Sequence, residues 1–138
     1  MQRILAIDYG LRRTGLAVAD RETRLPAPLE VFEGLTDRQL VERIAALVVR
    51  EEIGTIVCGV PLNMDGSIGP QAKKTQLFIG LLQQHTGREI IHVDERLTTH
   101  DSEKKLSGIY TRKQKRRRID AVAAARILQD YLDGLNKA

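Results

Sequence analysis

The 138-residue chain has no tryptophan, and its three tyrosines and two phenylalanines bring aromatic residues to only 4%. Recognition by stacking several unpaired bases on aromatic side chains is therefore poorly supplied. One cysteine, Cys58, excludes an internal disulfide and any thiolate metal cluster built from a single chain. The longest unbroken apolar run, Ile44 to Val49, is six residues, against about 20 for a membrane span. Near the N-terminus Asp8 interrupts the apolar stretch that begins at Ile4, so no signal-peptide core forms and the reading is cytoplasmic. Hydrophobic residues at 42% and charged residues at 29% are an ordinary globular balance, which excludes a disordered chain. The length suits one domain over residues 1–138, with no repeat, linker or low-complexity tract.

What the chain does have is unevenly placed charge. Residues 101–118 hold eight Lys/Arg against two acids, a net +6, which leaves −2 on the other 120 residues of a chain whose total is +4. A local basic patch on a mildly acidic body suits a polyanionic partner such as nucleic acid. The alternative is a solvated, flexible loop whose charges confer only solubility.

Hydrophobic periodicity gives the order βββαβαβαα. Arg3 to Asp8 reads as a buried strand because Ile4, Leu5, Ala6 and Ile7 are continuous, and Thr14 to Ala19 as a second. Leu25, Ala27, Leu29 and Val31 alternate as a third, with Pro26 and Pro28 confining it to a sheet edge. Thr36 and Gln39 form a capping box for a helix that closes before Gly54. Thr55 to Val60 is a fourth strand. A helix from near Pro70 to Gly87 and a fifth strand, Glu89 to Val93, follow. Two more helices are expected, one from near Thr98 and one running through Asp120 to Leu132. Three strands followed by alternating elements imply a mixed α/β sheet whose ligands gather at the C-terminal edge of its parallel strands.

Carboxylates stand at that edge: Asp8 ends the first strand, and Asp94-Glu95 end the fifth. Asp120 has Ala124, Ile127, Leu128 and Tyr131 at i+4, i+7, i+8 and i+11, so it shares the inward stripe of the last helix. An acid near a helix N-terminus, favoured by the macrodipole, is the simpler account of Asp120. Ala121, Ala123, Ala124 and Ala125 favour convergence, because small side chains let the helix approach the sheet. Acids converging from separate elements repel one another unless divalent cations neutralise them, and oxygen ligands favour Mg²⁺ or Mn²⁺. Two such ions serve phosphodiester hydrolysis. The basic segment just before Asp120 would hold the anionic backbone beside them. Asn63, in the loop after the fourth strand, borders the same edge. His85, His92 and His100 lack zinc-site spacing and read as surface or structural residues, and Cys58 reads as an inert buried thiol. Tyr9 and Tyr110 are the only aromatics near the proposed site.

Four segments in order then resemble a known family. They are Asp8-Tyr9-Gly10-Leu11-Arg12-Arg13-Thr14-Gly15-Leu16-Ala17, Gly59-Val60-Pro61-Leu62-Asn63-Met64-Asp65-Gly66-Ser67, Asp94-Glu95-Arg96-Leu97-Thr98-Thr99 and Asp120-Ala121-Val122-Ala123-Ala124. Together they resemble the YqgF/RuvX family of bacterial pre-16S rRNA nucleases, also described as Holliday-junction resolvase-like. The resemblance implies an RNase H-like α/β fold, a mixed five-stranded sheet of order 3-2-1-4-5 with strand 2 antiparallel, flanked by helices. It implies a hydrolase with Asp8, Glu95 and Asp120 as catalytic, metal-binding acids, and it favours Glu95 over Asp94, a choice the residues alone leave open. The expected nucleic-acid contacts are Arg12, Asn63, Arg96, Arg112, Lys113, Lys115, Arg116, Arg117 and Arg118. The expected substrate is the 5′ end of pre-16S rRNA during ribosome maturation. Branched DNA is the alternative, which would call for a homodimer because two strands are cut symmetrically. A non-catalytic RNA-binding assembly factor is a further alternative.

Overall fold

A computed structural model describes residues 3–96 and 112–136, with side chains of the last helix described over 122–135. The elements in chain order are β1 (Arg3–Asp8), β2 (Arg13–Asp20), β3 (Ala27–Glu33), α1 (Asp37–Arg50), β4 (Ile53–Val60), α2 (Pro70–Thr86), β5 (Ile90–Asp94) and α3 (Arg112–Asn136). The five strands form one sheet in the order β3-β2-β1-β4-β5. β2 runs antiparallel to both neighbours, whereas β1, β4 and β5 are mutually parallel. This is the expected mixed sheet, with the proline-bearing β3 at an edge. The helix expected near Thr98 lies outside the described residues. No helix among the described residues is long and apolar enough to cross a membrane.

Local chemistry accounts for most boundaries. At the start of α1, Gln39 N donates to Thr36 Oγ1 at 3.2 Å and Thr36 N to Gln39 Oε1 at 3.0 Å, the reciprocal pair the sequence predicts. α2 begins at Pro70 and ends on Gly87, whose φ of 68° is left-handed. Three expectations are corrected. Leu25 precedes β3 and is exposed, because the strand starts only after Pro26. The fourth strand starts at Ile53 rather than Thr55: α1 closes before Gly54 as expected, but Glu52, at φ 54°, makes the turn, so Gly54 falls inside β4. α3 starts at Arg112, so the backbone of the 112–118 basic run is helical and Asp120 lies in the helix interior rather than in its first turn.

Strand alternation divides the core in two. Leu5, Ile7, Leu16, Val18, Ile56, Cys58 and Val60 face α1 and α2, packing with Leu40, Ile44, Leu47, Phe78 and Leu82. Ile4, Ala6, Ala17, Ala19 and Val57 face α3, packing with Ala124, Ile127, Leu128 and Leu132. Helices on both faces explain why β1 is continuously apolar rather than alternating. The alanines on the α3 face allow that helix to lie close to the sheet.

Candidate active site at the parallel-strand edge

The same alternation positions the acids. Asp8 continues the Ile4, Ala6 series of β1, and Glu95 continues the Ile91, Val93 series of β5, so both belong to the α3 face. Asp94 belongs to the other face, is exposed, and pairs with Arg96 at 3.4 Å. Between the two strands, Ile7 is paired with Cys58 and Val93 with Gly59, which sets Gly59 between Asp8 and Glu95. A Cβ on Gly59 would stand 2.5 Å from Ile127 Cδ1 and 3.2 Å from Glu95 Cγ. Glycine is thus required by close approach: the missing side chain is the space into which α3 and Glu95 fit. Glu95 N donates to Val60 O at 3.0 Å, extending the parallel ladder by one residue and holding Glu95 to the end of β4.

Glu95 Oε1 is buried and finds no hydrogen-bond partner among the described residues. Burial, reinforced by the neighbouring Asp130 carboxyl and by the charge of Asp8 and opposed by Arg126, pushes Glu95 up to about 8. A carboxyl–carboxyl hydrogen bond between Glu95 and Asp130 lasts only while one of them keeps a proton. A buried oxygen without a donor, facing further negative charge, fits a divalent cation. Asp130 was not anticipated from the sequence. Its only signal is its position beside Tyr131 and Leu132 at the margin of the apolar stripe. Asp120 falls within α3, but its side chain lies outside the described residues, as do those of Arg112, Lys113, Lys115, Arg116, Arg117 and Arg118. Among the described residues no three His, Cys, Asp or Glu side chains are grouped closely enough to hold a metal.

Other anticipated residues sort by what they touch. Arg12 lies in the β1–β2 turn at the same edge with its side chain exposed, and its backbone carbonyl accepts from Gly34 N at 3.1 Å. Asn63 Nδ2 donates to Ser67 Oγ at 2.9 Å inside the β4–α2 loop. Arg96 Nη1 donates to Met64 O at 2.5 Å, across the chain to that loop. Tyr9, one of the two aromatics placed near the site, offers no open face to a base. It is buried, its ring stacks on Phe78 with centroids 4.3 Å apart, and its hydroxyl donates to Asp37 Oδ1 at 2.7 Å. Burial and the Asp37 hydrogen bond raise its phenol far above the ordinary value. Cys58 is fully buried, and desolvation followed by the charge of Asp8 raises its thiol, as expected for an inert core residue. His85 and His92 are exposed, and His100 lies outside the described residues.

The family model described as "RuvX: Holliday junction resolvase" matches residues 2–134. A protein of Halothermothrix orenii named "Putative pre-16S rRNA nuclease" is 40% identical over 136 residues, covering 98% of this chain and 97% of its own. A protein of the same name from Sulfurihydrogenibium sp. strain YO3AOP1 is 42% identical over 138 residues, covering 99% and 93%. In fold, the chain is similar to RuvC from T. thermophilus solved in complex with Holliday junction substrate, with a TM-score of 0.54 and 14% identity, covering 94% of this chain and 92% of that one.

Proposed function

The chain belongs to the RuvX family of Holliday junction resolvases, and from that premise we propose that it is a metal-dependent nuclease that hydrolyses phosphodiester bonds and trims the 5′ end of pre-16S rRNA in the cytoplasm. The observation that carries the catalytic half of this reading is Glu95, whose Oε1 is buried without a hydrogen-bond partner among the described residues while Asp8 adds negative charge to its surroundings. The choice of RNA rests on the names of relatives 40% and 42% identical over nearly the whole chain.

Asp8, Glu95 and Asp120 are the residues assigned to hold two Mg²⁺ or Mn²⁺ ions. Bound there, the ions would supply water of lowered pKa and neutralise charge on the scissile phosphate. The protein's own residues provide the geometry. Asp8 is held at the end of a strand whose residues 4–7 are buried, and Tyr9, the next residue, is anchored in the core by Phe78 and Asp37. Glu95 is fixed by Val60 O and by the space above Gly59, and a cation bound there would favour its ionised form over the protonated form that burial favours. Arg12 and the 112–118 basic run contact backbone phosphates, so binding reads charge and shape rather than sequence and weakens steeply with salt.

Purified protein incubated with precursor rRNA, a four-way DNA junction and single strands, each with Mg²⁺ or Mn²⁺, tests both halves. Trimming of the rRNA 5′ end is expected. Cleavage of the junction with the RNA left intact overturns the substrate assignment. Asp8→Asn should abolish cleavage while binding survives, and full cleavage by that variant overturns the metal site. Salt-sensitive RNA binding with no turnover in any metal would identify a non-catalytic assembly factor.

A further inference from the structure

The β4–α2 loop, residues 61–69, is bonded mainly to itself. Asn63 N donates to Ser67 O at 3.0 Å and Gly66 N to Asn63 O at 2.8 Å. Asp65 Oδ1 accepts from Ser67 N at 2.9 Å and from Ser67 Oγ at 2.6 Å, which holds the Asp65 carboxyl below its ordinary range. Asn63 Nδ2 donates to the same Ser67 hydroxyl. The loop is thus a small preformed unit, and its position depends on what ties it to the sheet.

Two ties connect it to the end of β5, and they flank Glu95. The carbonyl of Val60 accepts both Leu62 N at 2.9 Å, which starts the loop, and Glu95 N at 3.0 Å. On the other side of Glu95, the Arg96 guanidinium donates from Nη1 to Met64 O at 2.5 Å, while its Nε faces Asp94 Oδ2 at 3.4 Å. Its Nη2 lies 3.3 Å from where a Cβ on Gly66 would be, a position whose φ of 85° also favours glycine. Two nitrogens of one planar fork therefore bond the loop and the strand end while the third lies beside Gly66, a geometry that a lysine point charge cannot reproduce.

We propose that Arg96 is a positioning residue rather than a phosphate ligand: its guanidinium clamps the 61–69 loop to the end of β5 and so fixes the backbone on which Glu95 stands. The catalytic consequence rests on the nuclease reading above; the clamp itself does not. Glu95 has a bonded residue on each side, Val60 O through its own amide and Met64 O through Arg96. Releasing the second leaves, among the described residues, only the β4–β5 ladder and its last bond from Glu95 N to Val60 O to hold the strand end, with nothing gripping the residue that follows Glu95. A carboxylate displaced by about 1 Å is enough to cost roughly 100-fold in rate.

Arg96→Ala and Arg96→Lys, read by hydrogen exchange and by cleavage kinetics, test this. Exchange of the Leu62 and Glu95 amides, both bonded to Val60 O where the loop meets the end of β5, should rise about tenfold or more in both variants, while α1 keeps its protection as a control for folding. kcat should fall about 10- to 100-fold with KM and the salt dependence of binding unchanged, and Arg96→Lys should not rescue it. Wild-type loop exchange together with weaker binding and a salt slope reduced by about one would make Arg96 a phosphate contact and overturn the proposal. Increased loop exchange with wild-type kcat overturns the positioning role. If the wild-type protein cleaves none of the substrates, the nuclease reading has failed, and the exchange measurement alone decides the clamp.

Discussion

Replacing Gly59 with alanine asks whether the space between α3 and the sheet is as tight as the structure indicates. The added methyl carbon would lie 2.5 Å from Ile127 Cδ1, 3.0 Å from Ile127 Cγ1 and 3.2 Å from Glu95 Cγ. Ile127 is only 4% exposed and is packed among Ala6, Val57 and Leu128, so it cannot swing into solvent. Overpacking of this kind costs about 1–3 kcal/mol. The loss of unfolded-chain freedom on replacing glycine returns about 0.4–1 kcal/mol. A net destabilisation of about 1–2 kcal/mol follows, which for a domain of this size lowers Tm by roughly 3–10 °C. Calorimetry or thermal melts measure it directly. Ile127→Val removes the overlapping Cδ1 and by itself costs about 0.5–1.5 kcal/mol. Combined with Gly59→Ala it should relieve the clash, leaving the double variant more stable than the sum of the single losses by about 1 kcal/mol. The Glu95 contact persists in that double variant, so stability should recover while cleavage stays about tenfold down. A Gly59→Ala protein melting within about 1 °C of wild type, or strictly additive losses in the double variant, would refute the reasoning.

Two further outcomes test the surroundings of the site. Tyr9→Phe loses the 2.7 Å hydrogen bond to Asp37 and should cost about 1 kcal/mol, since Asp37 is exposed and water replaces the donor; RNA affinity measured beside it should be unchanged, and a loss of affinity would place Tyr9 on the binding surface. In metal-free protein the folded-state Glu95 is pushed up to about 8 from its ordinary 4.5, so between those values the native state keeps a proton that the unfolded chain has released. Stability should therefore fall as pH rises from about 4.5 to about 8 and level off above. Partial hydration of the site limits the loss to roughly 1–2 kcal/mol. Urea melts of wild type and Glu95→Gln across that range check it, and an equal slope in the variant would refute it.

The particular elements show how far the chain could be read before folding. Pro26 and Pro28 put the third strand at an edge because a missing N–H is a local fact, whatever the neighbours are. The Thr36–Gln39 capping box and the Gly87 stop are local in the same sense. Asp8 could be placed at the ligand edge because a continuous apolar strand must be covered on both faces, and its polar end then marks where cover stops. The surroundings of Tyr9 were not legible for a corresponding reason: nothing adjacent in the sequence announces that Phe78 and Asp37 enclose it.

The sequence by itself determined the periods, the caps, the edge strand and the carboxylates at the strand ends, since each depends on residues within a few positions of one another. Tertiary structure decided which of Asp94 and Glu95 faces α3, why residue 59 has no side chain, that Asp130 joins Glu95, and that Arg96 reaches back 32 residues to Met64. Alternation assigns two faces to a strand without saying which one a helix will cover. A hydrogen bond or steric gap between distant segments exists only after the sheet has brought them together. The acids were legible as chemistry, and their burial, pairing and support became legible only as geometry.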